Sequence, residues 1–153
     1  MRQWICALAL IIAASATPTA ADTMETHPEA LRACVLAPDA TREALQQCGG
    51  AQARPCIEAE GGGTMSEALC WNAEAETWNA LITEATNALT ERASYRDPNR
   101  LKRANTTWAA WADAECEYWA WEEGGGSGEQ VERVTCAARL RAHRAIDLML
   151  APR

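Results

Sequence analysis

Residues 64–92 read TMSEALCWNAEAETWNALITEATNALTER, and their periodicity decides the fold class. Trp71, Ala75, Trp78, Ile82, Ala85 and Leu89 recur in alternating steps of four and three, which lines them up along one seam of a single long helix. The start of that helix has its own signal. Gly61-Gly62-Gly63 interrupts the preceding segment, and Thr64-Met65-Ser66-Glu67 reads as a capping box, in which the two side chains satisfy backbone N–H groups of the first turn.

Downstream, Asp97-Pro98 supplies an N-cap with proline at the first helical position. Leu101, Ala104, Trp108, Trp111, Ala112 and Trp119 fall on one side of the helix that follows, which stops at Gly124-Gly125-Gly126. A second capping-box pattern, Ser127 to Gln130, opens a last helix from about Gly128 to Leu150 with Val131, Val134, Ala138, Ala145 and Leu148 as its apolar stripe. Upstream, Pro38, Gly49, Gly50 and Pro55 break residues 39–60 into two or three short helices, and residues 22–33 read as a short mobile lead-in to a helical turn. No stretch alternates with period two for long enough to make a sheet. The expected fold is all-α: a small, disulfide-stapled antiparallel helical bundle with a C-terminal helical hairpin. Charge favours that hairpin, since seven acidic and no basic residues lie between Arg103 and Arg133, whereas the segment from Arg133 to Arg153 has five arginines against Asp147 alone.

The first 21 residues have the layout of a secretory signal peptide: Arg2, an apolar run of 13 residues from Trp4 to Ala16, and small residues ending at Ala21. The run is shorter than the roughly 20 residues that span a bilayer, so no stable membrane anchor is expected. Cys6 stands at the start of the apolar run, where a lipid-modified cysteine would follow it. The remaining chain holds an even set, Cys34, Cys48, Cys56, Cys70, Cys116 and Cys136, and behind an export signal that reads as a disulfide framework. Spacing favours Cys34 with Cys48 and Cys56 with Cys70, each loop enclosing 15 residues, and Cys116 with Cys136. A loop of that length is worth about 3 kcal/mol in the chain-entropy account. No CxxC pair occurs, and His27 and His143 stand far from the cysteines, so no metal is expected. The location implied is periplasmic or secreted.

After cleavage at Ala21 the chain has 13 basic and 21 acidic residues, a formal charge of −8. That excludes nucleic acid as a natural partner and favours a basic protein. Catalysis is not expected, nor any cofactor. Asp113, Glu115 and Glu117 stand two apart on a helix and so point about 200 degrees apart, which prevents convergence on one substrate. His143 sits in an arginine-rich helix and His27 in the lead-in, neither beside a free nucleophile.

The run Ala104-Asn-Thr-Thr-Trp108-Ala-Ala-Trp111-Ala-Asp113-Ala-Glu115-Cys116, the Gly126-Ser127 turn, and Cys136 followed by Leu140, Arg144 and Leu148 resemble the LprI-like lysozyme-inhibitor family. Members are exported bacterial proteins whose helical hairpin has an AQxxWxxYRDAEC-type signature. Cys56, Cys70 and Trp78-Asn79-Ala80-Leu81 resemble the family's early cysteine pair and its WDxxLN-like stretch. The likeness spans roughly residues 56–150, which implies an LprI-like helical domain there, preceded by a short-helix segment over 22–55. Asn105 and Ala112 stand where the family signature has glutamine and arginine, and Asn79 and Thr83 where it has aspartate and asparagine.

The resemblance implies binding without chemistry, with a basic protein such as lysozyme as partner, and sets no oligomeric state. Helical spacing directs Trp71, Trp78, Trp108 and Trp119 into the core, while Trp121 lies about 220 degrees around the helix from Trp108 and should face outward or lie beneath the glycine loop. Trp121, Glu122, Glu123 and the loop to Ser127 are therefore the candidate contact patch, an aromatic anchor with flanking carboxylates. Two other readings fit the same composition: an envelope structural or stress-related module that does not inhibit lysozyme, and a peptidoglycan-fragment binder using exposed tryptophan.

Overall fold

The structure, a computed structural model, describes residues 26–38, 40–92, 97–122 and 126–152. Those residues form six helices and no strand: α1 (Pro28–Val35), α2 (Arg42–Gln46), α3 (Ala53–Ala59), α4 (Thr64–Arg92), α5 (Pro98–Glu122) and α6 (Ser127–Met149). The all-α reading is correct. The proposed signal segment lies outside the described residues, as do Glu123, Gly124 and Gly125. No helix among the described residues is long and apolar enough to cross a membrane.

The helix boundaries follow local chemistry. Asp97 caps α5, its carboxylate accepting from Asn99 N at 2.9 Å. Thr41 caps α2 in the same manner through Ala44 N, at 3.3 Å. The two capping boxes are displaced by one residue. Glu67 N donates to Gly63 O, and the cap of α6 is Gly126 at φ +82°, so Thr64 and Ser127 are first-turn residues rather than caps. Glycine wins both positions because the chain leaves each loop with positive φ, +107° at Gly63 and +82° at Gly126, which side chains disfavour.

The three long helices run up, down and up. Consequently α4 and α6 are parallel: Gly63 and Ser66 lie beside Ser127 and Gln130 at one end, and further along Glu76 meets Arg141. Helix α5 is antiparallel to both and packs chiefly on α6. The core is built from Leu31 and Val35 of α1, Leu45 of α2, Trp78, Leu81 and Ile82 of α4, and Ala142, Ala145, Ile146 and Leu148 of α6. Trp78 and Ala145 are fully buried. Short helices α1 and α2 close the far end through Arg32–Glu84 and Arg42–Asp147 ion pairs. Disulfides join Cys34 to Cys48, Cys56 to Cys70 and Cys116 to Cys136, the pairs that the spacing favours.

Candidate functional site

The α5–α6 contact determines what α5 presents to solvent. The Cys116–Cys136 disulfide holds the two backbones 5.5 Å apart at Cα, and at that separation only small side chains fit one turn to either side. Ala112 and Ala120 occupy those places, both buried. At about 100 degrees per residue, Ala112, Cys116 and Ala120 centre on one direction, and Trp111, Tyr118 and Trp121 centre on the opposite one.

Accordingly Trp111 is 50% exposed, Tyr118 61% and Trp121 75%. Of the two placements expected for Trp121, the outward one is found. Trp119 does not enter the core: it is 46% exposed, donates its indole N–H to Glu115 Oε1 at 2.9 Å and meets the Tyr118 ring edge-on at 5.2 Å. Trp111 and Ala104 also lie on the solvent side rather than in the apolar stripe. The departures of Trp111 and Trp119 share a cause, the preference of a closely spaced helix pair for alanine over large rings. Trp108 is half-buried against the core and under Arg144, whose guanidinium carbon is 5.9 Å from the ring centroid. Trp71 is half-buried beside Ala53, Cys56 and Cys70.

Glu122 is the last residue of α5, and Ser127, exposed, is the first of α6. Ser127 lines a shallow depression of about 330 Å³ with Gly62, Gly63, Thr64, Met65, Ser66 and Gln130. Trp121 and Ser127 thus close the two arms of the hairpin at one end of the bundle. Asp113 faces Arg141 at 3.7 Å, Glu115 is engaged by Trp119, and Glu117 points to solvent, so the three carboxylates do not meet. Among the described residues no group of three or more His, Cys, Asp and Glu is placed to hold a metal ion.

Two polar clusters escape the hydrophobic pattern. Glu74 is 1% exposed and accepts from Gly50 N at 2.7 Å, Ala53 N at 2.9 Å, Gln52 N at 3.1 Å and the Trp78 indole at 3.2 Å. The chain bends into this cradle at Gly50, φ +86°, and the carboxylate pins the start of α3 to α4. Its sequence signal is a carboxylate three residues after Trp71 and four before Trp78, on the buried seam. Glu74 and Trp71 also border a cleft of about 230 Å³ with Gln46, Thr135, Arg139 and His143.

The second cluster joins all three long helices. Asn105 of α5 donates to Thr86 Oγ1 of α4 at 2.7 Å and accepts from Arg144 Nε of α6 at 3.0 Å. Asn105 and Ala112, two of the departures from the family signature, therefore lie at helix contacts; Asn79 and Thr83 lie on the outer surface of α4. Elsewhere the Arg32 guanidinium, donating to both oxygens of Glu84 at 3.1 and 2.7 Å, holds that carboxyl below its ordinary range.

No curated protein and no solved structure matches this chain. A protein family does: the one described as "Lysozyme inhibitor LprI" matches residues 56–148, from the first residue of the Cys56–Cys70 pair through all three long helices. The matched segment includes the outward rings of α5, the Asn105–Arg144 link and both hairpin cysteines, and the family is one of inhibitors rather than catalysts. With its fold, disulfides and matched segment in agreement, the chain belongs to the lysozyme inhibitor LprI family.

Proposed function

We propose that this protein is exported to the periplasm or the cell exterior and inhibits a lysozyme by non-covalent binding, covering the enzyme through the hairpin end around Trp121, Glu122, Glu123 and Ser127. The observation that carries this reading is Trp121, three-quarters exposed at the acidic end of α5 within the segment matched by an inhibitor family. A large ring offers buried contact area on docking, and neighbouring carboxylates attract a cationic enzyme. The disulfides suit an oxidising compartment.

The test is lysozyme activity on peptidoglycan with the oxidised protein titrated in at low and physiological salt. Saturable inhibition that weakens with salt, with Trp121→Ala and with Glu122→Lys/Glu123→Lys, is expected. Absence of inhibition by correctly oxidised protein refutes the reading and leaves an envelope interaction module. A second reading, a peptidoglycan-fragment binder, draws support from the cleft where Trp71 stands beside Gln46, Thr135, Arg139 and His143. It requires muropeptide binding that survives salt and fails in Trp71→Ala.

A further inference from the structure

Helix α5 is charged against its own dipole. Arg100, Lys102 and Arg103 occupy its first part and Asp113, Glu115, Glu117 and Glu122 its second, with no acidic residue in the first turn and no basic residue in the last. Aligned peptide dipoles favour acidic residues in the first turn and basic ones in the last, and α5 has Arg100 near its start and Glu122 at its end instead. Asp97 relieves the N-terminal end as its cap, but nothing in the last turn relieves the C-terminal end. Packing explains the acidic half only in part: Asp113 meets Arg141 at 3.7 Å and Glu115 accepts from the Trp119 indole, but among the described residues Glu117 pairs with no cation. A locally unfavourable charge order persisting beside four exposed rings, three of them on the outward face, marks a surface with another purpose.

We infer that the outward face of α5 from Trp111 to Trp121 is a docking surface for a cationic protein, with Trp111, Tyr118 and Trp121 as its contact core and Glu117 on its acidic rim. The face spans about 15 Å of helix. At roughly 200–250 Å² per aromatic side chain, the exposed fractions give an apolar patch on the order of 400 Å². That is about half of one partner's share of a standard interface. A second copy is the poorer occupant, because the chain carries a formal charge of −7 and two acidic rims would face each other. The inference rests on the inhibitor reading and enlarges its contact surface from the hairpin end to the length of the helix.

The experiment measures binding of egg-white lysozyme, and separately of cytochrome c as a cationic protein without muramidase activity, by surface plasmon resonance. Trp111→Ser/Tyr118→Ser, which leaves Trp121, Glu122 and Ser127 of the hairpin end in place, is expected to weaken lysozyme binding about thirtyfold or more with helicity and melting temperature unchanged. Glu117→Lys is expected to slow association and flatten its salt dependence. Wild-type affinity in the double variant overturns the inference and leaves the inhibitor reading standing. Face-dependent binding to cytochrome c without lysozyme inhibition upholds the surface and removes lysozyme as its target. Absence of binding to either probe, or self-association that the double variant abolishes, overturns it.

Discussion

Replacing Glu74 tests whether a buried carboxylate, rather than the nearby disulfide, holds α3 in place. Four donors converge on it at 2.7–3.2 Å, three of them main-chain N–H groups, and Gln52, Ala53 and Trp78 are all at most 1% exposed. Hydrogen bonds to a charged group contribute about 1.5–3 kcal/mol each, so four at the low end total about 6 kcal/mol. Two effects reduce the net loss in Glu74→Ala: the wild type already bears the cost of burying the carboxylate, and water entering from the adjoining cleft can meet some of the freed donors. The expected destabilisation is about 3–4 kcal/mol. Glu74→Gln is no safe substitute. Oε1 serves Gly50 N and Trp78 Nε1 while Oε2 serves Gln52 N and Ala53 N, so an amide NH₂ on either side meets two donors; the loss should be about 2–3 kcal/mol. The assay is equilibrium denaturation with disulfides intact, supported by hydrogen exchange at Gln52 and Ala53. For a domain of this size each kcal/mol moves Tm by roughly 3–5 °C, so the alanine variant should melt about 10–15 °C lower. Loss below about 1 kcal/mol in both variants would refute the reasoning and assign the α3–α4 junction to Cys56–Cys70.

Asn105→Ala cuts the link between Thr86 and Arg144 and should destabilise by about 1–2 kcal/mol in denaturant, with m unchanged. Replacing Cys116 and Cys136 together with alanine should cost about 3 kcal/mol and raise amide exchange along α5 ahead of α4 and α6, because α5 has few contacts with α4. Since hydrogen bonding from Arg32 lowers the folded-state pKa of Glu84, the pair's contribution is present above the ordinary carboxylate pKa and disappears as pH falls through the lowered value. Both groups are partly exposed, so the effect is below about 1 kcal/mol; Glu84→Gln should flatten the acid side of the stability–pH curve, and an unchanged curve would refute the assignment.

How far the site could be read in advance depended on the kind of signal. That Trp121 lies away from the Trp108 side was legible because helical angle is a property of one helix alone, set by its rise and turn. Trp119 was not: large rings were assigned to the apolar side, but α6 lies too close at Cys116 for anything larger than the alanines flanking it. The spacing Ala112-Cys116-Ala120 held that information, since a cysteine with alanine one turn away on both sides marks a close helix contact. Glu74 itself has a signal as a carboxylate on the buried seam, but what it binds was illegible for another reason. Its donors come from Gly50, Gln52 and Ala53, more than twenty residues upstream, and no periodicity within α4 points to them.

By itself, then, the sequence determined the all-α class and the long helices and favoured the cysteine pairs that form, because hydrophobic period, glycine breaks and loop length act over one or two turns of chain or within a single closed loop. Tertiary structure decided which side of α5 meets solvent, where Glu74 finds its donors, and which of the C-terminal arginines serve the hairpin. The arginines show the difference most directly. Charge counting assigned them to α5, yet Arg141 makes its shorter ion pair with Glu76 of α4, 3.0 Å against 3.7 Å to Asp113, and Arg144 bonds a neutral asparagine. Up-down-up topology lays α6 along α4, and a charge pairs with whatever that packing brings within reach.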